Sequence, residues 1–511
     1  MRALLVTSVG VTCAAALTLP LAAPASSAPV LSSASARPPS LTTEPRTDTI
    51  DTIDTSGTTG TSGTTTSDTT APDGAEPRAA KSAAEPAGST QSLPLAPLAV
   101  PSNRVAGAPA VQGLPQRDAR PFSLVGVVWD DAEAELHGTV QVRTRATGTT
   151  RWSDWQDVET HNADHAADLG SAEREGRTVR GATAPLWVGD SDGVEVRVRP
   201  ESPATPESPG SQDRAATPVP LPEGMRLELV DPGEDPAPEP ARGAPANRAA
   251  VPAVFADTPP TAALPEVLTA EIAAASAVNA EVAELGASVI PALTQAETVE
   301  SVNLAPGAKP YIGPRPRIVT RKGWGADEKL RERNFGYTKS VKAAFVHHSA
   351  TGNNYTCKQA PSVLRSIYRY HVKSSGWRDF GYNFAVDKCG NIYEGRAGGV
   401  TKAVLGAHTL GFNTNTMGIA VLGSYGSTNP PAAAVTAVSK LTAWKLGLFG
   451  ANPKGKVTLV SGGSNKYRKG VKVKMNVISG HRDGFATECP GARLYKKLGT
   501  ARTSSAKLQG R

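Results

Sequence analysis

The sequence has little from which to build a membrane anchor or a disulfide scaffold. Of its 511 residues four are cysteine and 5% are aromatic. Long apolar runs are missing apart from Ala3 to Leu19, which follows Met1-Arg2 and precedes small residues and Ala23-Pro24-Ala25. That run is shorter than the ~20 residues of a spanning helix and has the anatomy of a secretory signal. Residues 1–25 are therefore read as a signal peptide, and no transmembrane anchor is expected. Cys13 leaves with the signal, so the mature chain keeps Cys357, Cys389 and Cys489 in a disulfide-permissive compartment. Phe, Trp and Tyr are absent from Pro29 to Arg117, where Ala, Pro, Ser, Thr and Gly dominate. Such a stretch has little to bury against the entropy of ordering, and residues 26–117 read as a disordered low-complexity arm. Within it DTIDTIDTSGTTGTSG (48–63) suits a flexible spacer or a sugar-modified stalk.

Acidic residues are scarce in the C-terminal part. From Tyr311 to Arg511 there are 33 basic and 8 acidic residues, a net +25, whereas the remainder carries 21 and 39, a net −18. The whole-chain charge of +7 hides this asymmetry. A field of that size favours an anionic partner. Nucleic acid would satisfy it, as would the teichoic acids and carboxylates of a bacterial wall. The secretory signal favours the wall, and no nucleic-acid partner is expected.

From Pro121 the texture changes. FSLVGVVW (122–129), GTVQVRTRA (138–146), RWSDWQ (151–156), APLWVGDSDGVEVRVRP (184–200) and MRLELV (225–230) alternate apolar and polar residues between turn clusters. This predicts a small all-β accessory domain, sandwich-like, over 118–231. Trp129, Trp152, Trp155 and Trp187 at strand spacing read as core more readily than as a sugar-stacking platform. His161 and His165, four apart in HNADH, read as part of a polar loop because no third ligand accompanies them. Residues 232–310 read as an Ala/Pro-rich linker with a transient or docked helix within 263–299.

After Tyr311 strands alternate with helices. VKAAFVHH (341–348) and GIAVLGSY (418–425) read as buried strands, and YNFAVD (382–387) with NIYEG (391–395) as a hairpin. APSVLRSIYRYHV (360–372) places Val363, Leu364, Ile367 and Tyr370 on one helical stripe, and a second helix spans Ala432 to Phe449. The expectation is an α/β domain over 311–500, a mixed β-sheet flanked by helices and long enough for a real core, followed by a basic tail at 501–511.

Five of the eight histidines fall in this domain. His347 ends an apolar strand, and His481 opens HRDGFATECPG with Cys489 eight positions on. Two imidazoles and a thiolate suit Zn2+, and three protein ligands leave the open position of a catalytic site. Cys357 and Cys389 flank the first helix and could close a disulfide, which leaves Cys489 as the odd thiol that a metal would hold. A buried, inert Cys489 is the alternative.

RKGWGAD (321–327), FVHHSATGNN (345–354), GWRDFGYNFAVDKCGNIYEGRAGG (376–399), GAHTLGFNTNTMGIAVLGSY (406–425) and ISGHRDGFATECPGARLY (478–495) resemble the type 2 N-acetylmuramoyl-L-alanine amidases and related peptidoglycan recognition proteins, in order, over about 315–498. The resemblance implies a secreted or cell-wall-associated zinc hydrolase cutting the amide between N-acetylmuramic acid and L-alanine. It implies zinc ligands at His347, His481 and Cys489, and a tyrosine beside the metal at Tyr382. Thr487 stands where some members have lysine; with Tyr382 it is the candidate donor to the developing oxyanion. His371, Trp377, Arg396, His408 and Asn413 match substrate-groove positions. Non-catalytic members typically lack the cysteine, so its presence argues for catalysis, with a non-catalytic peptidoglycan-binding protein as the alternative. Peptidoglycan and anionic wall polymers are the implied partners, and a monomer is expected.

Overall fold

The computed structural model describes residues 88–98, 111–160, 165–171, 173–201, 219–236, 268–302 and 310–511. The signal peptide, most of the arm with its 48–63 repeat, and His161 lie outside the described residues. Among the described residues no helix is long and apolar enough to cross a membrane.

The N-terminal strands β1 (Ser89–Pro94), β2 (Ala96–Pro97), β3 (Gln112–Trp129), β4 (Gly138–Ala146), β5 (Gln156–Val158), β6 (Gly181–Ala182), β7 (Leu186–Pro200) and β8 (Arg226–Asp231) form one antiparallel sheet. Its order is β1-β8-β3-β7-β4-β5, with β2 and β6 also pairing with β3. Register shifts along β3 and β7, such as that between Leu114 and Arg117, bend these long strands. The domain is all-β as expected, with six of its eight strands on one hydrogen-bonded path and β2 and β6 off it. It also starts earlier than the composition suggested: Ser89 pairs with Asp231 and Pro94 with Arg226, inside the stretch read as an arm. A six-residue strand without aromatics is held there by its partner, a non-local contact that composition does not register.

The second part builds on a seven-stranded mixed sheet of β9 (Val289–Ile290), β10 (Ile318–Val319), β11 (Ala343–His348), β12 (Phe384–Val386), β13 (Ile392–Glu394), β14 (Thr416–Val421) and β17 (Ile478–Gly480). The order is β17-β11-β14-β12-β13-β10-β9. A hairpin of β15 (Lys456–Val460) and β16 (Lys472–Asn476) stands beside it. The helices are α1 (Ala270–Ala277), α2 (Gln295–Glu300), α3 (Ala360–Arg369), α4 (Ala432–Leu448), α5 (Ala492–Tyr495) and α6 (Leu498–Leu508). Two boundaries differ from the sequence reading. The linker contributes α1, α2 and β9, and buried Asn279 ties it down by donating to Glu394 (2.9 Å) and accepting from Val400 N–H (2.8 Å). The basic tail is mostly α6: small residues Ala501, Ser505 and Ala506 are buried, Ser505 Oγ lies 2.7 Å from Thr442 Oγ1, and Gln509 donates to Ala443 O at 2.9 Å. Close approach needs small side chains on one face; beside them Arg502 donates to Ile478 O at 2.7 Å, while Lys507 is exposed.

Strand alternation sorts the core into two layers. Phe384, Val386, Ile419 and Val421 join Val438, Leu441 and Trp444 of α4, whereas Ala385 and Ala420 join Val363, Leu364 and Ile367 of α3. That second layer also contains Leu124, Val128, Trp187 and Val230 of the β-domain. In FSLVGVVW, Val125, Val127 and Trp129 face the β-domain's own core, while Leu124 and Val128 face α3. The run is buried on both faces, as a near-continuous apolar strand should be. Gly126 lies between them: a Cβ there would stand 2.4 Å from Tyr370 Oη, so only glycine lets that ring reach Thr183 O at 3.1 Å. Trp129 and Trp187 are core residues as expected; Trp152 and Trp155 are half-buried under Arg143 and Arg197.

Cys357 and Cys389 form a disulfide with a Cα–Cα distance of 6.2 Å, joining the approach to α3 to the β12–β13 turn. Replacing both by serine is expected to lower unfolding stability by roughly 3–4 kcal/mol, the loop-entropy value for a closure of this length. Denaturant titration of oxidised wild type and the double variant measures it; equal midpoints would remove the disulfide from the stability account.

Behind β13, burial pushes the Glu394 carboxyl up to about 7 and the Lys445 ammonium down to about 7. The raised carboxyl contributes stability that is complete below its unfolded pKa and lost as pH rises through about 7. The lowered lysine acts in the opposite window: above about 7 the folded state sheds its proton first, and stability rises toward the unfolded pKa. The pair therefore gives a stability minimum near pH 7. Lys445→Met is expected to abolish the alkaline limb, worth at most ~1.4 kcal/mol per pH unit. Melting curves between pH 7 and 9 test this, and a limb retained in the variant would assign it to other groups.

Candidate metal centre

Parallel pairing explains how two histidines far apart in sequence meet. β11 lies parallel to β17 with Val346 opposite Gly480, so the next residues, His347 and His481, emerge side by side at the carboxyl ends of adjacent strands. Open α/β sheets place their sites at this edge. Their ring centroids are 4.5 Å apart. Cys489 reaches them from the following loop: Arg482 N–H donates to Cys489 O (3.0 Å), and Cys489 N–H donates to Thr487 Oγ1 (3.2 Å). Its Sγ stands 3.8 Å from His347 Nδ1. All three residues are fully buried.

The surroundings orient this set. His347 Nε2 lies 3.4 Å from Thr409 Oγ1, which lies 3.0 Å from His408 Nδ1. The His347 nitrogen facing Cys489 is thereby Nδ1, an arrangement typical of outer-shell support. Burial, then the neighbouring imidazoles, hold His347 well below the usual histidine pKa, in the neutral form a metal requires. Tyr382 sits on the same side, with its ring 5.2 Å from that of His347. Thr487 is half-buried, and its hydroxyl accepts the Cys489 backbone N–H.

The five groove candidates are gathered around this centre. His371 stacks on Trp377 at 4.4 Å, accepts Gly381 N–H at Nδ1, and is held by burial at about 3. His408 is completely buried behind His347, with its Nε2 3.4 Å from Thr416 Oγ1. Asn413 Oδ1 accepts from the N–H groups of His408 and Thr409, bracing that turn. Arg396 and the Asn413 amide point outward and meet the β-domain instead of solvent. Arg396 pairs with Glu173, and Asn413 Nδ2 donates to Ala166 O (2.9 Å) and Asp168 Oδ1 (2.7 Å). Beside this contact lies a cavity of about 430 Å³ whose walls include Glu133, His165, Trp377, Arg468 and Phe485.

The sequence reading missed one residue. His165 was assigned to a polar loop away from any metal, yet it is buried against the centre. Its Nε2 is 3.6 Å from Cys489 Sγ, and its ring is 4.5 Å from His481 and 5.2 Å from His347. The ligand atoms of His165, His347, His481 and Cys489 all lie within 4.8 Å of one another, a cluster able to hold a metal ion. The missing third ligand belongs to the other domain. The one signal available was complementary charge, with HAADLGSAERE in an acidic half facing a strongly basic one.

Two sequence families match parts of the chain. The sequence family described as N-acetylmuramoyl-L-alanine amidase matches residues 337–492, and one described as Rv3811 N-terminal galactose-binding domain-like matches 64–219. Peptidoglycan-recognition protein SC2 of Drosophila simulans is 32% identical over 185 residues, which are 36% of this chain and 85% of that protein. An N-acetylmuramoyl-L-alanine amidase of Homo sapiens is 31% identical over 194 residues, 36% of this chain and 28% of the human protein. The solved structure of wild-type Drosophila PGRP-LB aligns at 25% identity over 36% of this chain and 92% of its own, with a TM-score of 0.29.

Proposed function

Because the chain belongs to the family of type 2 N-acetylmuramoyl-L-alanine amidases and peptidoglycan-recognition proteins, and so to proteins with a peptidoglycan-binding or amidase function, we propose that it is a secreted, zinc-dependent amidase. Its target is the bond between the lactyl group of N-acetylmuramic acid and L-alanine. The observation that carries this reading is the convergence of His347, His481 and Cys489 on one point. Tetrahedral zinc with Zn–S of about 2.3 Å and Zn–N of about 2.0–2.1 Å has S···N edges of roughly 3.6 Å. The 3.8 Å between Cys489 Sγ and His347 Nδ1 fits that edge.

Zinc held there supplies Lewis-acid activation of a water and of the scissile carbonyl. The chain's own residues do the rest. Tyr382 directs its hydroxyl to the developing oxyanion, Thr487 fixes the Cys489 loop at the same edge, and Thr409 keeps His347 in its ligating tautomer. Arg396 and Asn413 provide donors for the carboxylates and carbonyls of a stem peptide, with Trp377 and His371 forming the wall behind them.

Mass spectrometry of purified peptidoglycan after digestion names the broken bond. Stem peptides bearing a new L-alanine amino terminus are expected, from the chain as it stands or from its His165→Ala variant. If both bind zinc and neither releases such peptides, the protein is a binding member of the family.

A further inference from the structure

His165 is placed differently from every other residue of the centre, because it arrives from the other domain. Its Nε2 stands 3.6 Å from Cys489 Sγ, the edge expected between two ligands of one tetrahedral zinc. It is buried to 5% exposure. A catalytic zinc keeps one position open for water or substrate; a site with four protein ligands is closed.

The segment carrying His165 also occupies the groove. Asp168 Oδ1 accepts from Gly411 N–H and Asn413 Nδ2, both at 2.7 Å. Glu173 pairs with Arg396, and the carbonyls of Glu173 and Glu175 accept from Arg378 at 2.9 and 2.8 Å. These are carboxylates and peptide carbonyls on the groove candidates Arg396 and Asn413 and on the nearby Arg378 and Gly411, the groups a stem peptide would present. The contact is anchored at both ends: Ala184 N–H donates to Glu159 O (2.8 Å), and Arg180 N–H donates to Ser375 O (3.1 Å).

Resting on the zinc-amidase reading, we propose that His165 is a fourth metal ligand and that residues 165–171 and 173–177 form an internal substrate mimic, so that the chain as described is a closed, latent form. Opening is local. The β-domain stays docked through its shared core with α3, and only the contacts made by His165, Asp168, Glu173 and Glu175 are released. Local opening of a segment held by polar contacts is far less costly than separating an apolar interface. Release frees one metal position and the Arg396 and Asn413 donors together.

The experiment combines two readouts on the full chain. Cobalt(II) replaces zinc, and its visible absorption reports coordination. Wild type is expected to show an intense four-coordinate spectrum that water-competing anions such as azide leave unchanged. His165→Ala is expected to respond to azide, to lose zinc to a chelator about tenfold or more faster, and to digest peptidoglycan at least tenfold faster. Asp168→Ala, which keeps the imidazole but removes both Asp168 contacts, is expected to raise digestion roughly tenfold and guards against misfolding of the first variant. Identical azide response, chelation rate and digestion in wild type and both variants would overturn the proposal while leaving the amidase reading intact. A spectral change in His165→Ala without digestion by any form supports the fourth ligand and overturns the amidase reading on which the latency rests.

Discussion

Cys489→Ala is expected to lose most of its zinc and, with it, release of stem peptides. Cys489 is the cluster's one sulfur donor, anionic when it holds a metal, and its Sγ lies 3.6 and 3.8 Å from two imidazole nitrogens. Zinc in a four-ligand protein site is bound by about 10–16 kcal/mol, so an equal share per ligand is roughly 3 kcal/mol, or about a hundredfold in affinity. Loss of the metal removes several kcal/mol of transition-state stabilisation, on the order of 10³-fold in rate. Metal analysis after dialysis and peptide release, each in wild-type and His165→Ala backgrounds, measure both effects. Full zinc occupancy in the variant would mean that the thiol is a buried bystander.

Tyr382→Phe should separate binding from chemistry. The substitution deletes one oxygen and keeps the ring, so packing against His347 (5.2 Å) and Phe380 (5.7 Å) survives. Zinc content should be unchanged, while kcat falls by about 10²–10³-fold with little change in KM, the magnitude for one oxyanion donor. The His165→Ala background again provides the comparison. An unaltered kcat there would take Tyr382 out of the mechanism and leave oxyanion stabilisation to other groups.

Much of this could be read along the chain because hydrophobic periodicity is local. The stripe of α3, the buried strand that carries His347 and the hairpin around Cys389 all correspond to elements of the fold. His347 and His481 were singled out by residue type and motif, although their adjacency depends on parallel register between β11 and β17, which no spacing reveals. Contacts between segments distant in sequence were harder to foresee. Ser89–Pro94 has no intrinsic reason to be ordered until β8 is beside it, and α6 resembles a basic tail until its small face meets α4. His165 shows the problem most clearly: it has one candidate neighbour in its own loop and three partners more than 180 positions away. The charge asymmetry was read as pointing to an external anion, whereas Asp168 and Glu173 show that part of the anionic complement is internal.

The layer in which Leu124, Val128 and Val230 meet Val363, Ile367 and Tyr370 also bears on how such chains can be recombined. A C-terminal segment excised at Tyr311 and grafted onto an unrelated partner would take with it a greasy flank shaped for Gly126 and its neighbours. Exchange among relatives should therefore move the two parts together or remodel the α3 face toward polar residues, leaving a mark on that helix wherever a lineage has discarded the sheet.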